Sequence, residues 1–189
     1  MFARNIRIPR TAIAFALAAG LALATTTPSF AQDGTVATIT GGSLTITLPA
    51  AADFAAKSIT GVAQTTTAAL AAFSASDLRG TGAGWHVTAQ ATQFDNGQLL
   101  LLNRKLAASS LSMSQPTVAS PDTTSADPTI ATGPYTIDGA SPVSIASAAL
   151  NAGMGKYDFS ATTLTLALPA DVYANSYSST VTVSVVTAP

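Results

Sequence analysis

Thr163-Leu164-Thr165-Leu166-Ala167-Leu168 alternates without a break. Successive side chains of a strand point to opposite faces, so Leu164, Leu166 and Leu168 share one side and Thr163, Thr165 and Ala167 the other. The same rhythm sets Leu44, Ile46 and Leu48 against Ser43, Thr45 and Thr47. It also sets Tyr177, Val181, Val183 and Val185 against Thr180, Thr182 and Ser184. One apolar face and one hydroxyl face is the pattern of a half-buried antiparallel strand, not of a helix. Threonine and valine reinforce it, because branched β-carbons suit a pleated surface.

Outward from these three segments, shorter strands are expected at 35–40, 57–62, 67–78, 85–94, 98–102, 111–114 and 143–148. Asp95-Asn96-Gly97 reads as a hairpin turn, since Asn-Gly readily takes positive φ angles. Gly80 to Gly84 and Gly153 to Gly155 read as further turns. The stretch 115–142, rich in Pro, Ser, Thr, Asp and Gly, reads as a long surface loop with at most one short strand near 135–137. Alanine-rich runs at 50–56, 68–72 and 146–149 leave room for one or two helical turns. Many short strands separated by turn signals imply an all-β chain folded as an antiparallel β-sandwich. The 178–186 strand is expected in its interior, with Val181, Val183 and Val185 toward the core. The likeness of Leu44-Thr45-Ile46-Thr47-Leu48-Pro49-Ala50 to Leu164-Thr165-Leu166-Ala167-Leu168-Pro169-Ala170 lines up with nothing else at the same offset and is read as shared strand chemistry rather than a repeat.

The N-terminal 31 residues read differently. Arg4, Arg7 and Arg10 precede an apolar run over 11–25, and Ser29-Phe30-Ala31 places small residues where a signal peptidase cuts. That order is a secretory leader cleaved after Ala31. The apolar run falls short of the roughly 20 residues that span a bilayer, and Pro28 interrupts the segment. A single domain over 32–189 follows, with no transmembrane anchor after cleavage. It keeps Lys57, Arg79, Arg104, Lys105 and Lys156 against nine acidic residues, all aspartate, five against nine for a net charge of −4. So acidic a surface argues against nucleic acid and against anionic headgroups. There is no cysteine, hence no disulfide and no lipoprotein-type attachment. Residues 183–189 carry no hydrophobic tail and no sorting-type signal, so surface attachment is expected to be noncovalent or through a partner.

Catalytic machinery is not legible. The one histidine, His86, falls on the polar side of its strand with Thr88, Gln90 and Thr92, opposite Trp85, Val87, Ala89 and Ala91. No nucleophile elbow of Gly-x-Ser-x-Gly occurs. A single His without Cys is a poor zinc set. Asp122 and Asp127, or Asp95-Asn96, have calcium-type oxygens but no calcium-loop spacing and read as solvated turn residues. No enzyme, no cofactor and no metal site is expected. The lone tryptophan, Trp85, opens a strand after Gly80-Thr81-Gly82-Ala83-Gly84. It reads as a core anchor, the alternative being an aromatic that stacks on a sugar.

Asp77-Leu78-Arg79-Gly80-Thr81-Gly82-Ala83-Gly84-Trp85-His86-Val87 resembles the first motif of WxL domains, bacterial cell-surface domains named for Trp, any residue, Leu. The closing YSSTVTVSVVTAP, from Tyr177 to Pro189, is similar to the second motif, introduced by a Tyr and closed by a Pro. Gly153-Met154-Gly155-Lys156-Tyr157 and the Leu-rich strand ending at Pro169 look like the same region of the family. Val87 stands where the family has Leu; Val183 and Val185 stand where the second Trp and its Leu would be. The resemblance therefore implies Trp85, His86, Val87, Val183 and Val185 as motif residues. It also implies a secreted surface protein held noncovalently to cell-wall peptidoglycan, another wall polymer or surface proteins. The alternative is a structural subunit of an extracellular fibre or surface layer, assembled through strand edges.

Overall fold

The computed structural model describes residues 37–47, 50, 53–98, 104–120 and 124–188. The expected leader and most of the strand expected at 98–102 lie outside them. Within these residues every regular element is a strand: β1 (Leu44–Thr47), β2 (Gln64–Leu70), β3 (Phe73–Asp77), β4 (Trp85–Ala91), β5 (Leu111–Met113), β6 (Val118–Ala119), β7 (Thr129–Ile130), β8 (Tyr135–Thr136), β9 (Val143–Ala148), β10 (Gly155–Phe159), β11 (Thr162–Leu168) and β12 (Val181–Thr187). The alanine-rich runs form no helix among the described residues; Ala68 and Ala148 are buried strand residues instead.

The strands make three antiparallel four-stranded sheets, ordered β1-β3-β10-β6, β2-β11-β5-β8 and β12-β4-β9-β7. The first two are halves of one bent ribbon. Phe159 faces Phe73 and Thr162 faces Leu70, so three steps along one strand match three along the other and the register crosses the bend intact. Phe159 faces Val118 and Leu164 faces Met113, five steps on each side, so β6 and β5 continue one another in the same way. The bend falls at Ala71-Ala72 opposite Ser160-Ala161, where small residues, the three alanines exposed and Ser160 half-buried, interrupt the alternation. Strands that pass from one sheet to another at such corners are a recognised way to close a sandwich.

The third sheet is the opposing layer of this β-sandwich. Trp85 of β4 packs on Tyr157 of β10, and Val183 of β12 meets Leu70 of β2 and Leu166 of β11 around one cleft. Phe73 and Phe159 stack at 4.8 Å beside the bend. A bulge opposite Val87 and Thr88 turns both Ile145 and Ala146 of β9 inward.

Several expectations shift. Residues 57–62 form no strand, and the 67–78 segment is cut in two by the bend. The 115–142 loop holds three two-residue strands, β6, β7 and β8, rather than one. Gly155 begins β10 instead of ending a turn. The arm at Asp95 does not fold back at Asn96-Gly97: Leu106 N–H donates to Phe94 O and Asn96 N–H to Arg104 O. Val183 faces the core as expected, but Val181 and Val185 are half-buried and β12 is an edge strand of its sheet, paired with β4.

Candidate functional site

β4 lies between β12 and β9, and its burial alternates as its sequence does: Trp85, Val87, Ala89 and Ala91 are inside, while His86, Thr88 and Gln90 face out, half-exposed. Trp85 is fully buried. Its Nε1–H donates to Gly153 O at 2.7 Å, and its ring lies 5.7 Å from that of Tyr157, tilted by 57°. The Tyr157 hydroxyl donates in turn to Met154 O at 3.2 Å. Gly153 has φ +72°, and a Cβ there would collide with Ala148 and sit 2.7 Å from the indole nitrogen. Only glycine lets this turn close over the indole.

The Gly-rich loop before Trp85 is clamped by an ion pair. Arg79 Nε meets Asp77 Oδ1 at 2.8 Å and Nη2 meets Oδ2 at 2.8 Å, the two-pronged geometry a guanidinium makes with a carboxylate. The same guanidinium reaches Gly84 O at 2.8 Å and, through Nη1, Thr187 Oγ1 at 2.8 Å. The Asp77 side chain is wholly inaccessible, and that of Arg79 is 17% exposed. The hydrogen bond from Arg79 holds the Asp77 carboxyl below its ordinary range, against the opposing effect of burial. One side chain thus ties the end of β3, the loop and the end of β12 together. Nothing in the residue pattern alone gives Asp77 and Arg79 a role; the signal it carries is an acid and a base two apart where a strand meets a glycine run.

β4 and β12 are ladder neighbours, with Val87 opposite Val185, Ala89 opposite Val183 and Trp85 opposite Thr187. The two segments that resemble the WxL motifs therefore lie side by side. The family described as WxL domain, surface cell wall-binding, matches residues 25–189. The chain belongs to the WxL domain family. No curated protein and no solved structure matches it.

In this WxL domain most of the motif residues belong to the inward face. Trp85, Val87 and Val183 are buried and Val185 is half-buried, so valine at 183 keeps the inward face apolar where the family's second Trp would stand. Of the five motif positions, His86 alone belongs to the outward face. Around it that face presents Thr88 and Gln90 of β4, Thr182, Ser184 and the exposed Val186 of β12, and Ser144 and Ser147 of β9, with no Asp, Lys or Arg among them. At its far end a hollow of about 540 Å³ is lined by Gln90, Thr92, Gln93, Asp138, Thr180 and Thr182, among others. Asp138 Oδ2 accepts from Ser110 N–H, the Ser110 hydroxyl and Leu111 N–H at 2.9, 3.0 and 3.0 Å. Its buried Oδ1 has no partner among the described residues.

WxL domains are a wall-binding family rather than an enzyme family. Among the described residues, no three His or Asp side chains gather as a metal site. Asp122 lies outside those residues. No helix of the described residues is long and apolar enough to cross a membrane.

Proposed function

We propose that this WxL domain is exported by its 1–31 leader, cut after Ala31, and held noncovalently to wall peptidoglycan through the outward face of the β12-β4-β9-β7 sheet. The observation that carries the reading is that face itself. His86, Thr88, Gln90, Thr182, Ser184, Ser144 and Ser147 offer hydroxyl, amide and imidazole groups with no Asp, Lys or Arg side chain among them. A seven-residue strand is roughly 20 Å long at about 3.3 Å per residue, enough for several sugar rings or a stem peptide. Donors and acceptors on a firm β surface suit a polymer rich in hydroxyls and amides. Trp85 lies beneath this surface, so its part is to hold β4 in place rather than to touch a glycan.

Co-sedimentation with purified peptidoglycan tests it. Wild-type protein should pellet with the polymer. Gln90→Ala combined with Thr182→Ala should stay in the supernatant while melting as wild type does. Wild-type protein that never pellets, at any salt concentration, would end the wall-binding proposal. Equal pelleting of the double variant would move the contact off this sheet. Recovery of a chain beginning at Gln32 from the host's wall fraction would support the leader, and a chain still beginning at Met1 would refute it.

A further inference from the structure

Among the described residues that line the hollow at the far end of the β4 face, Asp138 alone is charged. It is 3% exposed. Its Oδ2 already takes two backbone N–H groups and the Ser110 hydroxyl, while its Oδ1 has no partner among the described residues. The ion pairs of those residues pass it by, since Arg79, Lys105 and Lys156 go to Asp77, Asp95 and Asp158. A buried carboxylate is ordinarily matched by a cation or by donors on both oxygens. This one has donors on a single oxygen and a hollow of about 540 Å³ beside it.

The lining around Asp138 is placed to accept rather than to donate. Gln90 donates through Nε2 to Ala140 O and Gln93 through Nε2 to Leu106 O, which leaves both amide oxygens as acceptors. The Gln90 bond is 3.4 Å long, beyond the roughly 2.7–3.2 Å of an ordinary N–H···O bond, so Ala140 O is open to a better donor. Gln90 thus spans the hollow from β4 to the 138–140 segment on a bond that is easily given up.

We infer that this hollow binds a primary ammonium group, its charge set against Asp138 Oδ1 and its remaining N–H groups against Ala140 O and the glutamine oxygens. The incoming group displaces the Gln90 amide from Ala140 O and so gains access to the carboxylate. An ammonium suits the place better than a guanidinium. The planar fork of a guanidinium pairs with both oxygens of a carboxylate, and here Oδ2 is taken; a compact ammonium needs one. For the source of the group the inference rests on the wall-contact reading: the stem peptide of peptidoglycan carries a diamino acid whose side chain, where it is not cross-linked, ends in such an ammonium. An ion pair enclosed in the hollow is screened little by salt.

The probe is Nα-acetyl-lysine amide, titrated into the protein by calorimetry beside its Nε-acetylated counterpart, which keeps the aliphatic stem and loses the charge. The lysine amide should saturate one site. The Nε-acetylated form should bind at least about tenfold more weakly, as should the lysine amide with Asp138→Asn, the scale of losing one side of an enclosed charge pair. Nα-acetyl-arginine amide should also bind more weakly than the lysine amide. Asp138 caps Ser110 and Leu111, so a second variant leaves it in place. Gly139 lines the hollow, a Cβ built there meets nothing within 4 Å, and its φ is outside the left-handed region. Gly139→Leu should therefore melt as wild type does and exclude the probe. Acetylating the free amines of purified peptidoglycan should reduce pelleting of wild-type protein severalfold. No saturable binding of the lysine amide overturns the inference, whatever the pelleting shows. So does equal binding of the Nε-acetylated form, or equal binding of the lysine amide by a folded Asp138→Asn variant. Saturable, charge-dependent binding with equal pelleting on acetylated and untreated peptidoglycan upholds the ammonium pocket and overturns the stem peptide as its source in favour of a free amine. Binding of the probe by a protein that never pellets does the same and ends the wall-binding reading alone.

Discussion

Trp85 and Arg79 perform related tasks on opposite sides of the loop that separates them. The indole fills the space under β4 and bonds Gly153 O, while the guanidinium bonds Asp77, Gly84 and Thr187. Trp85→Ala should destabilise the fold by about 3–5 kcal/mol, the usual cost of emptying an aromatic core site, and a urea titration measures it. The folded fraction of that variant should still pellet with peptidoglycan; lost pelleting at unchanged stability would make Trp85 a contact instead. Arg79→Met leaves Asp77 buried without its cation, a change of about 3 kcal/mol by analogy with other broken buried pairs. Asp77 also predicts a pH dependence. Its folded pKa is lowered from 3.8, so the native state holds this proton less tightly than the unfolded chain does. The pair's stabilisation is therefore complete above the unfolded value, near 4, and is lost as pH falls through the folded value. Melting temperatures from pH 6 to pH 2 should fall less steeply for Asp77→Asn than for wild type. Parallel curves would show that the carboxylate does not titrate differently on folding.

At the scale of elements, β12 illustrates how much of the fold alternation determines. Val183 is inside because it lies at the centre of the inward face it shares with the half-buried Val181 and Val185, whatever residue the family prefers there. Val183→Asp should unfold the domain or cost several kcal/mol, since it buries an unpaired charge opposite Ala89; a wild-type melting curve would place the position at the surface. The long alternating strands β4, β11 and β12 were legible in the sequence because each turns an apolar face inward and a polar face outward. Three things were not. The break at Ala71-Ala72 lacks the glycine or proline that usually marks a bend, so one strand was expected where there are two. The two-residue strands β6 and β7 are too short to carry any period, whereas β8 falls where the one short strand near 135–137 was expected. β10 begins at Gly155 itself, so a turn signal hid it. The candidate site divides in the same way: the Trp85 position and the polarity of His86, Thr88 and Gln90 could be read from period two. The convergence of Arg79 on Thr187 could not, because it joins residues 108 positions apart and only the fold brings them together.

For the whole molecule, the distribution of charge separates two modes of wall attachment. Of the basic residues after residue 31, Arg79, Lys105 and Lys156 each sit within 3.5 Å of an aspartate carboxylate oxygen, of Asp77, Asp95 and Asp158 respectively. Arg104 lies 4.4 Å over the ring of Tyr173. Cations that are already engaged within the chain are poorly placed to grip an anionic polymer, and the excess of aspartate repels one. The outward face of the β4 sheet, built of hydroxyl, amide and imidazole side chains, has no such conflict with a neutral glycan or peptide. Screening length falls from about 30 Å at 0.01 M salt to about 3 Å at 1 M, so binding through charge would weaken severalfold or more across that range. Binding through hydroxyl and amide hydrogen bonds would stay level, or rise slightly as repulsion from the net negative surface is screened. Pelleting with purified peptidoglycan, measured across that series, should therefore be constant within about twofold or increase with salt. A steep loss would assign the contact to exposed cations such as Lys57 or Lys156 and remove it from His86, Thr88 and Gln90. Repeating the series with Lys57→Ala and Lys156→Ala would then restore a flat profile only if those charges carry the binding, which makes the two modes distinguishable on one assay.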